Sequence, residues 1–188
     1  MVAALHGNVK GTLFVDYVRM LRAHKNIDWS THLLPEDLAH LHETIRPGGW
    51  YPMATFERFG LAILAEIAQG NLAAVRAFGR ASIDAMAKLT LRNLIVEGDP
   101  RATLMRFKVY RSDFFDFPAV DILQLVAKRA RVRVAYGMSA AAEEAACHQT
   151  MGFFERMAEL AGAHNCQASF TTMAWRGDDA TVIELGWE

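Results

Sequence analysis

Cysteine is almost missing from this chain. Its 188 residues include two, Cys147 and Cys166, too few for a disulfide framework or a closed four-cysteine zinc site, and in keeping with a reducing compartment. Surplus charge is missing too: 20 Lys and Arg stand against 21 Asp and Glu, a formal net charge of −1. The molecule as a whole is therefore no electrostatic match for a polyanion, and general nucleic-acid binding is not expected. No apolar run approaches the roughly 18 residues of a membrane span, and Met1 to Lys10 lacks a basic segment followed by an apolar one. The expectation is a soluble, cytoplasmic protein with no membrane partner. Also lacking are a Gly-x-Ser-x-Gly elbow, a Walker-type loop and a dinucleotide fingerprint, so no motif speaks for an enzyme.

What is abundant is apolar material, 52% of the residues, enough for one well-buried core. A single domain over 1–188 is expected, mainly helical over 1–112 and built of a sheet and a long helix over 113–188. Phe14, Tyr17, Val18 and Leu21 recur at the spacing of one helical face. Pro35-Glu36-Asp37 starts a short helix, and Pro52 opens a strongly apolar one that Gly70 ends. Asn71 caps a run to Phe78, a further run from Gly79 reaches Gly98, and Asp99-Pro100 starts another that ends near Ser112. The periodicity then changes. Val120 to Val126 and Arg131 to Ala135 read as a hairpin joined by Ala127 to Ala130, with Arg131 and Arg133 alternating with Val132 and Val134. Ser139 caps a helix to Ala161, and a second hairpin runs from Cys166 to Trp175 and from Ala180 to Trp187 around Arg176 to Asp179. The fold class is α+β: a helical part packed on a four-stranded antiparallel sheet of ββαββ order.

The stretches Gly152-Phe153-Phe154-Glu155, Leu160 to Asn165 and Met173 to Ile183 resemble the C-terminal half of the small-molecule-binding domain named after 4-vinyl reductase. That family shares its architecture with haem- and nitric-oxide-binding sensor domains and with vesicle-tethering TRAPP subunits. Its last hairpin reads Cys-x-x-x-Gly-Asp-x-x-Cys, of which Gly177 and Asp178 stand here, while Met173 and Thr181 take the cysteine places. Phe170 stands where zinc-binding members carry an acidic ligand, leaving Cys147 as the one match to the metal site. The resemblance with these departures implies a site without zinc. Further upstream, Lys10 to Phe14 and Gly49 to Pro52 are similar to single-domain bacterial proteins of the kind abundant in myxobacteria.

Seven histidines raise metal and haem readings. His40 and His42, two apart, point about 200° apart on a helix and cannot share an ion there; His24, His32, His148 and His164 read as surface or cap residues. Haem sensors hold the propionates with a Tyr-x-Ser-x-Arg motif, and the nearest string, Tyr110-Arg111-Ser112-Asp113, lacks the final Arg. Cys147 and His148, adjacent on a helix, diverge by about 100°, so a buried structural cysteine is the better reading. No cofactor is expected. Arg129, Arg131 and Arg133 project from one strand face. They form either a solvated face or, with Arg106 and Lys108, a contact for a phosphate-bearing ligand or an acidic protein partner. Trp50, Tyr51, Phe107, Tyr110 and Phe114 flank the helix-to-sheet junction, where sensors of the resembled family hold small molecules. They read as core or as the wall of a mostly apolar ligand pocket. Trp175 and Trp187 could serve a homodimer interface. The leading expectation is a non-enzymatic sensory or regulatory protein that binds a small apolar molecule, as a homodimer. The alternatives are a structural scaffold module with a filled core and a haem-based gas sensor.

Overall fold

Helix α1, Gly11–Ala23, forms where the apolar spacing predicts it and turns Phe14, Tyr17, Val18 and Leu21 inward. The computed structural model describes residues 7–89 and 93–188 of the chain. The first part of the N-terminal segment, and residues 90–92 of the run read between Gly79 and Gly98, lie outside them. Strand β1 (Asn8–Lys10) precedes α1, and α2 (Pro35–Ala39) starts at its proline. Strand β2 (Trp50–Pro52) pairs antiparallel with β1, Val9 opposite Tyr51. Helix α3 (Met53–Ala62) runs on into a π-helical turn over Ile63–Ile67.

Helix α4, Leu72–Leu89, corrects the expected break at Gly79: it is continuous through that residue. Asn71 caps it as expected, its Oδ1 accepting from the N–H groups of Ala73 (2.9 Å) and Ala74 (3.3 Å). Glycine is tolerated mid-helix here because another backbone lies against it. A Cβ on Gly79 would stand 1.9 Å from the Gln149 carbonyl oxygen, and one on Gly152 would stand 2.0 Å from that of Arg76. The partner is helix α6, Ala140–Leu160. Beside the glycine contact, Arg76 reaches Glu155 with both arms of its guanidinium, Arg80 reaches Glu159 at 2.6 Å and Arg156 reaches Asp84 at 2.9 Å.

Helix α5 (Pro100–Tyr110) is capped by Asp99, whose carboxylate accepts from the Ala102 N–H at 2.8 Å. The expected cap Ser139 behaves differently: its N–H and hydroxyl both donate to Glu57. Glu143 folds back from the first turn of α6 to accept from the N–H groups of Tyr136 and Met138 instead.

Strands β3 (Val120–Val126), β4 (Arg129–Val134), β5 (Gln167–Thr172) and β6 (Thr181–Gly186) form the antiparallel sheet in the order β3-β4-β6-β5. Ala130, Val132, Val134, Ile183 and Leu185 are buried beneath α5 and α6. A bulge between Ile122 and Gln124 turns Leu123 out to solvent. In the last hairpin Gly177 takes a left-handed φ of +103° and the Asp178 carboxylate accepts from the Met173 N–H at 2.6 Å, which explains the retained Gly-Asp pair. Trp187 is buried in the core, and Trp175 packs edge-on to Phe170.

Candidate functional site

The apolar faces of α1, α3, α4, α5 and α6 and the start of β3 do not close completely on one another. They leave a cavity of about 70 Å³, several times the ~10–15 Å³ that one water needs. Phe107 from α5 supplies much of one wall, stacked on Phe114 at 5.8 Å and edge-on to Phe154 at 4.8 Å. Its polar atoms come from Tyr17, Ser82, Tyr136, Gln149 and Thr150, and no residue lining it carries a formal charge.

Each polar group has a partner. The Tyr17 hydroxyl donates to Gln149 Oε1 at 2.5 Å, and the Ser82 hydroxyl donates to Asp16 Oδ2 at 2.8 Å. Thr150 donates to the Ala146 carbonyl at 2.8 Å, so Tyr136, 2.6 Å from the Thr150 oxygen, is the donor of that pair. Burial pushes both phenols well above their ordinary range, so they stay neutral. A site of this kind favours an uncharged occupant: an ion inside would lose its hydration with no countercharge in the wall.

The structure brings Phe107 and Phe114 to this cavity and places Trp50, Tyr51 and Tyr110 elsewhere. Trp50 lies on the exposed strand β2 under the Lys10 ammonium, and Tyr51 stacks on Phe14 at 4.4 Å while its oxygen accepts from the Arg46 N–H. Tyr110 packs partly buried at the end of α5. Sequence reasoning missed Tyr17, Ser82, Gln149 and Thr150. The available signal was polar residues set on otherwise apolar helical stripes. Arg129, Arg131 and Arg133 do share the outer sheet face; Arg131 stands in register with Glu184 and Arg133 with Asp121, so the row is partly balanced.

The histidines lie elsewhere. His148, on α6, packs against Phe170 at 5.0 Å, and burial lowers its pKa; it is half-buried and not the surface residue expected. His40 sits edge-on to Phe14 and Tyr51, and His32 pairs with Glu66 at 2.8 Å. Cys147 is buried with the Thr181 hydroxyl against its sulfur. Among the described residues no three His, Cys, Asp or Glu side chains gather as a metal site.

A haem needs an axial ligand and cations for two propionates. The cavity wall offers no imidazole, thiol or cation. Neither tyrosine of the wall carries the sensor motif: Tyr17 is followed by Arg19 and Leu21, and Tyr136 by Met138 and Ala140, where the motif has Ser and Arg. The residues lining this cavity do not fit a haem.

No family model matches the chain, and no curated protein does. Solved structures do. A Shewanella oneidensis (S. oneidensis) H-NOX protein in its Fe(II)NO ligation state is similar over 95% of this chain and 99% of its own, with TM-score 0.66 at 14% identity. An H-NOX protein of K. algicida, Fe(II) unliganded, matches over 95% and 96% with TM-score 0.65 at 10% identity. An oxygen-binding H-NOX domain related to soluble guanylate cyclases matches over 95% of each chain with TM-score 0.62 at 10% identity. At these identities the likeness concerns the fold, and the chain has the α+β architecture of H-NOX domains.

Proposed function

We propose that this chain is a non-catalytic sensory or regulatory domain that takes a small, uncharged, mostly apolar molecule into the cavity between its helices and its sheet. The observation that carries the reading is that cavity: apolar, set between the helices and the sheet, and without a formal charge in its wall. Solved proteins of the same architecture include nitric oxide and oxygen complexes, which supports a fold that keeps small ligands inside. Binding would act on function by favouring one arrangement of the surrounding helices, which requires unequal affinity for two states.

Xenon binding, followed by ¹²⁹Xe NMR, tests the cavity directly. A saturable shift in the native protein that Ala146→Leu abolishes supports the site; no shift means a filled core and favours the scaffold reading. Native mass spectrometry of protein from its own host should show a co-purified neutral molecule. The ligands of the solved neighbours favour a second reading, a haem-based gas sensor. Its test is a Soret band after reconstitution with haemin. Such a band, lost in Tyr136→Phe or in His24→Ala, would overturn the neutral-ligand reading.

A further inference from the structure

A second hollow lies directly outside the first. Between α1 and α4 runs an open groove of about 420 Å³, lined by Met20, Ala23, Phe78, Ala81 and Ala85 among others. Three residues belong to both walls: Tyr17, Ser82 and Gln149. They are also the residues whose hydrogen bonds tie α1 across to its neighbours, Tyr17 to Gln149 of α6 and Ser82 of α4 to Asp16. The partition between groove and cavity is thus two hydrogen bonds thick at the side-chain level.

We propose that groove and cavity are one binding channel, divided by a side-chain gate made of Tyr17, Gln149 and Ser82, and that its ligand is an elongated neutral molecule with an apolar end in the cavity. This rests on the reading of the cavity as a ligand site. The cavity, about 70 Å³, is smaller than the ~300–1,000 Å³ usual for small-molecule sites, and the adjoining groove, about 420 Å³, supplies the volume that it lacks. The chemistry differs along the channel. The inner end offers aromatic rings, while the outer end has Asp16, paired with Arg19 at 3.3 Å, and His24, whose Nδ1 lies 2.9 Å from the Met20 carbonyl oxygen. A hydrogen-bonding group on the ligand therefore belongs at the gate or beyond it, where hydroxyls and an amide can exchange their present bonds for bonds to the ligand without leaving a buried group unpaired. Gln149 and Ser82 can each accept or donate, which suits a ligand hydroxyl or carbonyl better than an ionised group.

N-phenyl-1-naphthylamine, neutral, aromatic and fluorescent in apolar surroundings, is the probe. It should bind one per chain, and Ala81→Trp, which fills the exposed groove, should weaken it about tenfold or more. Tyr17→Phe and Gln149→Met each remove the hydrogen bond across the partition; association of the probe should be severalfold faster in stopped flow, as a gate requires, whereas loss of a contact alone would speed dissociation only. If the probe binds and Ala81→Trp leaves it unchanged, the groove is not part of the site and the inference falls. Rates unaltered in both partition variants would remove the gate. If xenon enters the cavity while N-phenyl-1-naphthylamine does not bind, the channel is refuted but the cavity reading stands; if xenon is also excluded, the reading beneath it fails as well.

Discussion

Burial decides what individual side chains can do in this molecule. Cys147, fully enclosed, is pushed up to about 12 by loss of solvent, and Cys166, half-enclosed, up to about 11. A thiol reacts as its thiolate. At pH 8 neither should titrate with Ellman's reagent at the rate of a free cysteine; Cys166 should react first and Cys147 only on unfolding in urea. Rapid reaction of Cys147 in the native protein would show that the α6 packing opens. Asp37 presents the opposite case. Burial alone would raise its carboxyl, but Arg58, at 2.5 and 2.7 Å, the Leu34 N–H and Thr55 together hold it below its usual 3.8. Replacing it by alanine leaves a partly exposed guanidinium and an uncapped turn. Asp37→Ala should cost about 1–3 kcal/mol, measured by urea denaturation.

At the scale of elements, the contact between α4 and α6 dominates the helical half. Gly79→Ala would drive a methyl group into the Gln149 carbonyl, a clash with backbone that no rotamer relieves. The cost should reach or exceed the upper end of the ~1–3 kcal/mol of ordinary overpacking, whereas Gly70→Ala, with open space around it but a φ of +74°, should show only conformational strain. Much of this layer was legible in the sequence. The alternation of Arg131 and Arg133 with valines gave away β4, Asn71 and Asp99 are caps as their positions imply, and the ββαββ order predicts the sheet that forms. What escaped depends on partners far along the chain. Strands β1 and β2 are three residues each and exist because Asn8 meets Pro52. Gly79 reads as a breaker until Gly152 is brought beside it. The site was half legible for the same reason: Phe107 and Phe114 belong to an aromatic cluster visible as such, but Tyr17 and Gln149 meet across 132 residues.

For the whole molecule, acid should act in two stages. Burial lowers the His148 pKa from its usual 6.5, so the unfolded chain takes up that proton first, and stability falls as pH drops below 6.5 toward the folded-state value. Asp37 is depressed below 3.8, so its contribution is present above that pH and is lost as pH falls further through the folded value. Melting temperature measured from pH 8 to pH 3 should decline gently and then more steeply, and His148→Leu should remove the first stage. The glycine contact bears on movement at this same scale. With backbone against backbone at Gly79 and Gly152 there is no side chain between the helices to compress, and the Arg76, Arg80 and Arg156 pairs resist sliding. The two helices should therefore open as one unit: in hydrogen exchange, the amides around Gly79 of α4 and around Gly152 of α6 should share the slowest rates of the helical half.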